Sequence, residues 1–175
     1  MKILTFPELR QTYEYDCGAS AVEAILDYYG IDMREEKIMK TAGTTKNGTS
    51  IKGIIKALKK YRLKVKSGEM TISQIKRYID NKIPVILMLQ AWTKKKKPDW
   101  EKDWIDGHYV IVIGYDGHKF YFEDPASASR TYLTYNELDK RWHDIDTDRK
   151  KYIHYSIATY GKKPRYSLKK RIHMG

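Results

Sequence analysis

The sequence predicts an α+β fold of two packed lobes, because its two halves follow different periodicities. In the first half, apolar residues recur every three or four positions, as on one face of a helix. In the second half they form unbroken runs of strand length that are rich in β-branched residues. The chain has 175 residues, of which 41% are hydrophobic, and this is enough for one domain with its own core. A cleft between the lobes is the expected place for a functional site.

Helices are predicted in the first half at residues 17–29, 34–41, 51–60 and 71–81. The first of them has the most regular apolar face. Asp16 precedes it in the N-cap position, and Gly30 follows it as a stop signal. Thr71 or Ser73 is the candidate cap of the fourth helix. These helices are expected to form an N-terminal lobe.

Strands are predicted in the second half at residues 84–90, 108–115, 119–123, 130–133 and 152–159, with a short helix at 135–142. The turn signal Asp116-Gly117 separates the second strand from the third, which predicts an antiparallel hairpin. Asp124-Pro125 ends the second arm of that hairpin. This half is therefore expected to form a C-terminal lobe built on an antiparallel sheet.

Positive charge is concentrated in two segments of the chain. The formal net charge is +12, and residues 161–175 contain basic residues but no acidic one. Residues 1–160 are therefore predicted to form the domain and residues 161–175 a basic tail. Lys94 to Lys97 form a second basic cluster, in a tryptophan-rich loop that leads directly into His108. We expect this loop to border the cleft, and both basic segments could bind an acidic partner or acidic residues of a substrate.

Several classes of function are not favoured. Nucleic-acid binding is not expected, because no predicted helix carries basic residues on a single face and no nucleic-acid motif is present. No stretch reaches the roughly 20 apolar residues of a membrane helix, and the first residues lack the apolar core of a secretion signal. The single cysteine fits a reducing compartment, so a cytoplasmic protein without a membrane segment is expected.

No cofactor or metal ion is expected. Residues 43–50 contain the two glycines of a phosphate-binding loop, but Thr49 stands where that loop has its lysine. The segment also follows a predicted helix, whereas a phosphate loop follows a strand. No pair of His or Cys residues has metal-ligand spacing.

The lone cysteine, Cys17, is a candidate nucleophile. It occupies the first position of the best predicted helix, where free backbone N–H groups and the positive end of the helix dipole favour a thiolate. The alternative is a small residue buried in the core. A nucleophilic role requires a base close by, and the base requires a third group to orient it.

His108 and Asp124 are the candidates for these two roles. His108 opens the most apolar predicted strand, and Asp124 ends the neighbouring hairpin arm. Counted outward from Asp116-Gly117, the two lie about equally far from the turn, so antiparallel pairing is expected to bring them side by side. A cross-strand pair without a catalytic role is the alternative. The other histidines are expected in a turn (His118), a charged stretch (His143), the last strand (His154) and the basic tail (His173).

Gln11 lies six positions before Cys17. Its side-chain amide could join the backbone N–H of Cys17 as the second donor of an oxyanion hole. Taken alone, Gln11 is also compatible with an exposed polar residue in front of a helix.

Together these residues resemble the papain-like peptidases that process bacteriocin leader peptides. The resemblance rests on Gln11, Asp16-Cys17-Gly18-Ala19, Gly107-His108-Tyr109-Val110 and Asp124-Pro125, with further likeness at Gly48-Thr49-Ser50, Gly53-Ile54, Ala57-Leu58 and Ile83-Pro84-Val85-Ile86. It implies a papain-like two-lobed fold with Cys17 as nucleophile, His108 as base, Asp124 as the orienting carboxylate and Gln11 as oxyanion donor. Members often precede a membrane transporter and cut after a Gly-Gly pair. For this sequence, a stand-alone peptidase acting on a peptide or protein substrate is expected.

Two other classes of function remain open. The same Cys, His, Asp order serves enzymes that transfer an acyl group to an amine, as arylamine acetyltransferases and transglutaminases do. Gln11 favours the peptidase, because its position resembles the papain-like oxyanion donor. A binding protein that uses the basic loop and tail is the third possibility.

Overall fold

The computed structural model describes residues 1–127 and 129–175. Its elements, in chain order, are β1 (Lys2–Ile3), α1 (Cys17–Tyr28), α2 (Glu35–Ala42), α3 (Ile51–Lys60), β2 (Lys64–Glu69), α4 (Ile72–Asp80), β3 (Val85–Gln90), β4 (Gly107–Tyr115), β5 (Lys119–Glu123), β6 (Thr131–Thr134), α5 (Tyr135–Arg141), β7 (His143–Ile145), β8 (Lys151–Ile153) and β9 (Tyr155–Tyr160). The predicted α+β fold with an antiparallel sheet is confirmed.

One seven-stranded sheet organises the molecule. Its strands follow the order β2-β9-β3-β4-β5-β6, with β1 paired to β4, and neighbouring strands are antiparallel. Strands β7 and β8 form a separate two-stranded sheet. Every residue of β3 is buried, which explains why its sequence is apolar from Val85 to Leu89, before the buried Gln90.

Helices cover both faces of the large sheet. Successive side chains of a strand point to opposite faces, so Ile86 and Met88 pack in a core with α1, α2 and α3. Val85, Leu87 and Leu89 pack in a second core with α4 and α5. The first core therefore holds α1 against the middle of the sheet.

The caps confirm two of the sequence predictions and correct a third. Gly30 ends α1 in the left-handed conformation, with φ of 77°. Thr71, rather than Ser73, caps α4, where it forms a reciprocal capping box with Gln74. Asp16 occupies the N-cap position of α1, but its side chain does not cap the helix. Its Oδ2 instead accepts a hydrogen bond from the backbone N–H of Tyr13, at 3.0 Å.

The sequence prediction missed the strands β1, β2 and β7. β2 lies at the edge of the sheet and its sequence is largely polar. It is held by backbone pairing with β9, which gives no apolar pattern in the sequence. The predicted strand 152–159 is divided at His154, whose φ of 51° breaks the extended chain. His154 therefore lies between β8 and β9 and not within a strand. His143, expected in a charged stretch, is buried in β7.

The start of the predicted tail contacts the end of α1. The backbone N–H groups of Arg165 and Tyr166 donate to the carbonyl oxygen of Tyr28, at 2.9 and 3.1 Å. The Tyr166 side chain packs against the first core, and the side chains that follow it are exposed. The boundary between a domain at 1–160 and a tail at 161–175 stays a prediction. Within the described residues, no helix has both the length and the apolar character of a membrane span.

Candidate active site

Cys17 begins α1 at the edge of a cleft, where it is partly exposed. The next residue, Gly18, allows the first turn of α1 to approach its neighbours closely. A Cβ atom at Gly18 would lie 2.9 Å from the Cβ of Thr49 and 3.2 Å from the ring of Tyr109. Because Tyr109 follows His108 on β4, this close packing holds the start of α1 beside the start of β4.

His108 and Asp124 contact each other, and His108 lines the same cleft as Cys17. Both are buried, with 7% and 3% of their surface exposed, and His108 Nε2 lies 2.7 Å from Asp124 Oδ1. The register pairs Ile111 with Glu123, so the His108–Asp124 contact runs diagonally across the two strands. A bulge between Val112 and Gly114 shifts the pairing, which counting from the turn did not anticipate. The structure thus brings the predicted residues together, but not as a direct cross-strand pair.

The carboxylate of Asp124 accepts hydrogen bonds on both oxygens. Oδ1 accepts from Ala126 N as well as contacting His108, and Oδ2 accepts from Trp92 Nε1 and Thr131 Oγ1, at 3.1 and 3.2 Å. Burial alone would raise the pKa of Asp124, but the bond to His108 and the other donors outweigh it and lower the pKa below its usual value. Asp124 is therefore held as an anion.

That anion changes the charge state of His108. Burial favours the neutral imidazole, whereas hydrogen bonds with Asp124 and Cys17 favour the imidazolium, and the net effect raises the pKa of His108 to about 9. Since Nε2 is engaged with Asp124, Nδ1 is the ring nitrogen left for the Cys17 thiol. The arrangement can place a protonated imidazole beside the sulfur at neutral pH.

Gln11 is held close to this group by its backbone. Its N–H donates to the carbonyl oxygen of Pro125, at 2.9 Å, directly after Asp124. Its side-chain Nε2 donates to the carbonyl oxygen of Tyr13, at 2.7 Å, which leaves one further N–H of the amide for another acceptor. The side chain therefore has a donor to offer, although its observed partner is Tyr13.

A cleft of about 360 Å³ opens in front of Cys17 and His108. Trp104 and Ile105 of the tryptophan-rich loop line it, as the sequence predicts. In the same loop, however, Lys95 lies 2.5 Å from Asp103 and 3.5 Å from Asp106, so one of the four lysines is engaged within the loop.

The cleft also contains residues that the sequence interpretation did not single out. Asp144 and Asp146 of the β7 hairpin line one wall, and residues 46–49 line another. Residues 43–50, which lack the lysine of a phosphate loop, contain a turn closed by a β-bridge between Thr45 and Gly48. The alternation in His143-Asp144-Ile145-Asp146 is a strand pattern that could have placed the two aspartates on one face.

The sequence is similar to parts of larger curated proteins, and residues 5–146 match the Peptidase C39 family. The pediocin PA-1 transport/processing ATP-binding protein PedD of Pediococcus acidilactici is 26% identical over 136 residues, which cover 77% of this chain and 17% of that protein. The lactococcin-G-processing and transport ATP-binding protein LagD of Lactococcus lactis subsp. lactis is 27% identical over 135 residues, which cover 75% and 17%. This chain thus spans less than a fifth of the length of these relatives.

Solved structures share the fold. A double glycine motif protease from an AMS/PCAT transporter, in complex with its leader peptide, superposes with a TM-score of 0.67 at 18% identity and covers 94% of this chain and 95% of its own. A C39-like peptidase from Bacillus anthracis superposes with a TM-score of 0.69 at 15% identity, covering 94% and 100%.

The fold, with Cys17 at the head of a helix packed on the sheet, is that of a papain-like cysteine peptidase. The match over residues 5–146 shows that the chain belongs to the Peptidase C39 family, whose members are cysteine peptidases.

The pKa values of the buried pair predict how its contribution to stability depends on pH. The raised pKa of His108 means that its contribution is fully present below the ordinary value of 6.5 and is lost as pH rises through about 9. The lowered pKa of Asp124 means that its contribution is present above the ordinary value of 3.8 and is lost at lower pH. We expect Asp124→Asn to cost about 2–3 kcal/mol of unfolding free energy near pH 6, and clearly less near pH 10, by urea unfolding.

Asp139→Asn is the matched control, because Asp139 is exposed and lies 3.5 Å from His154. Its effect should stay below about 0.5 kcal/mol at both pH values. Equal costs of Asp124→Asn at the two pH values would contradict the ion pair.

Proposed function

We propose that this chain hydrolyses a peptide bond with Cys17 as nucleophile, His108 as base and Asp124 as the orienting carboxylate. The observation that carries the proposal is the position of His108, whose Nε2 lies 2.7 Å from Asp124 Oδ1 and which lines the same cleft as Cys17. Family membership supports the reaction class. The residue roles rest on this geometry.

In the proposed reaction, the Cys17 sulfur attacks the substrate carbonyl carbon and forms a tetrahedral intermediate. The backbone N–H of Cys17 and the side-chain amide of Gln11 donate hydrogen bonds to its oxyanion. The imidazolium of His108 then protonates the leaving amine, and the C–N bond breaks to give an acyl-enzyme. Neutral His108 next removes a proton from water, which attacks the thioester and releases the acid product. Asp124 orients the His108 ring and stabilises its positive charge during both acylation and deacylation.

We propose leader peptides with a double-glycine motif as the substrate class. The relative PedD is described as a transport/processing protein, and one structural neighbour is a double glycine motif protease bound to a leader peptide. The match to the Peptidase C39 family over residues 5–146 includes the positions of Cys17, His108 and Asp124. A cytoplasmic location belongs to the same proposal, because a reactive lone cysteine is preserved in a reducing compartment.

We also propose that the basic loop and tail bind acidic residues of a substrate or partner. Lys94, Lys96 and Lys97 are largely exposed, and the basic side chains beyond Tyr166 are exposed as well. Lys95 contributes less, because it is paired with Asp103. Long-range attraction of this kind is screened by salt.

Cleavage of a fluorogenic peptide with a Gly-Gly pair before the scissile bond tests the peptidase proposal. Cys17→Ala should abolish turnover, and Gln11→Ala should lower kcat by about a hundredfold or more with a smaller effect on KM, because the oxyanion forms only after attack. Gln11→Glu keeps the length of the side chain but removes its donor, so it should match Gln11→Ala. Mass analysis of products with an added amine present separates hydrolysis from acyl transfer. A dominant amide product, or full activity of Cys17→Ala, would refute the proposal.

Binding of a fluorescent oligoglutamate peptide tests the two basic segments. Replacing Lys94, Lys96 and Lys97 by Ser, or deleting residues 167–175, should weaken binding at low salt and reduce its salt dependence. The control replaces Lys56, Lys59 and Lys66 by Ser, which removes the same charge from an exposed region elsewhere. Equal weakening in the control would show that only net charge matters.

A further inference from the structure

Asp144 is a buried carboxylate on the cleft wall with one oxygen unused. Only 8% of the residue surface is exposed. Its Oδ1 accepts hydrogen bonds from Gln90 Nε2, at 2.9 Å, and from Ile145 N, at 2.8 Å. Among the described residues, no hydrogen-bond partner is found for its Oδ2. Oδ2 is not enclosed by the protein, so a ligand in the cleft that carries a hydrogen-bond donor can reach it.

The position of this carboxylate is set by Gly107. A Cβ atom at Gly107 would overlap the Asp144 carboxylate, so the side chain lies directly against the backbone that precedes His108. Asp144 and Gly107 both line the cleft that contains Cys17. The unused oxygen is therefore close to where a substrate bound across Cys17 and His108 would lie.

The surrounding charges make this wall negative. Asp146 lies on the same hairpin and its carboxylate is already engaged, since it accepts from Ile51 N and Thr147 N. Lys46 lines the opposite wall and is exposed. Of Asp144 and Asp146, only Asp144 therefore has a carboxylate oxygen without a hydrogen-bond partner among the described residues.

We infer that Asp144 forms one wall of a subsite for a positively charged substrate side chain, that of Lys or Arg. The inference rests on the proposed peptidase function for the identity of the ligand as a substrate residue. A guanidinium or ammonium group satisfies Oδ2 and adds charge attraction, whereas a carboxylate side chain is repelled. A neutral side chain gains no charge attraction from Asp144.

The acidity of Asp144 gives the subsite a pH dependence. Burial raises its pKa and the nearby charge of Asp146 adds to this, while hydrogen bonds from Ile145 and Gln90 and the charge of His108 oppose it, leaving a pKa of about 7. The titratable groups that act on it are Asp146 from the hairpin and His108 from β4, and Gln90 from β3 donates to it. Glu14, Cys17 and Lys46 also line the cleft. Because the carboxyl is neutral below that pKa, preference for a cation should increase as pH rises through about 7.

Charged thiol reagents test this subsite without any substrate. Cys17 is the single cysteine, so its rate of modification can be measured with a trimethylammonium-bearing, a neutral and a sulfonate-bearing methanethiosulfonate. The ratio of the cationic to the neutral rate cancels the ionisation of the thiol. Asp144→Asn should lower this ratio by about three- to tenfold at low salt and pH 8, and raise the ratio for the anionic reagent.

Asp148→Asn is the control, because it removes the same charge from an exposed residue of the same hairpin that does not line the cleft. The ratio of the cationic to the neutral modification rate in Asp148→Asn should equal that of the wild type. An unchanged ratio in Asp144→Asn, or an equal fall in Asp148→Asn, would overturn the inference. Should Asp144→Asn not fold, the wild-type ratio still decides, since it must increase between about pH 6 and pH 8.

Peptides then connect the subsite to the substrate. In a Gly-Gly peptide series with one Lys moved through the positions flanking the scissile bond, one position should be cleaved with higher kcat/KM than its Gln counterpart, and Asp144→Asn should remove that advantage. Cleavage with no preferred Lys position would overturn the substrate assignment. No cleavage of any peptide, with the reagent preference intact, would count against the peptidase proposal and leave the anionic wall in place.

Discussion

The hydrogen bond between His108 and Asp124 is the interaction on which the site depends. It joins the first residues of β4 to the residue after β5, so its geometry is set by the middle of a seven-stranded sheet. Burial by itself would neutralise both groups, and their hydrogen bonds reverse this for each of them. A buried pair of this kind is costly to assemble, and the surrounding donors on Asp124 offset that cost.

The packing around this pair determines where Cys17 lies relative to it. α1 is embedded in the first core, and Gly18 lets its first turn contact Tyr109, so Cys17 is positioned by core packing and not by a flexible loop. The segment that precedes α1 is bonded to the same end of the sheet, because Leu9 N donates a hydrogen bond to Glu123 Oε1, at 2.7 Å. Nucleophile, imidazole and carboxylate are therefore placed by three rigid elements, of which α1 and β4 share the first core and β4 and β5 share the second.

The parts of the fold with an unbroken apolar pattern could be predicted from the sequence. α1, β3 and β4 were of this kind, and the turn signal Asp116-Gly117 after β4 indicated β5 and so led to the His108 and Asp124 pair. β2 was missed because an edge strand gains stability from backbone pairing, which leaves no apolar signature. Asp144 was missed because a sequence does not reveal that a carboxyl will be buried against a glycine of another strand. The bulge between Val112 and Gly114 was missed as well; it lies where the backbone of β1, itself not predicted, pairs with β4 at Gly114.

The charge state of His108 is the most direct test of this account. Nuclear magnetic resonance of the ring carbons and nitrogens, followed from about pH 5 to pH 10, reports the pKa of each histidine. The account predicts a pKa of about 9 for His108, lowered in both Asp124→Asn and Cys17→Ala and unchanged in Asp139→Asn. A wild-type His108 that titrates at or below the ordinary value of 6.5, or one that ignores the loss of Asp124, would contradict the proposed ion pair.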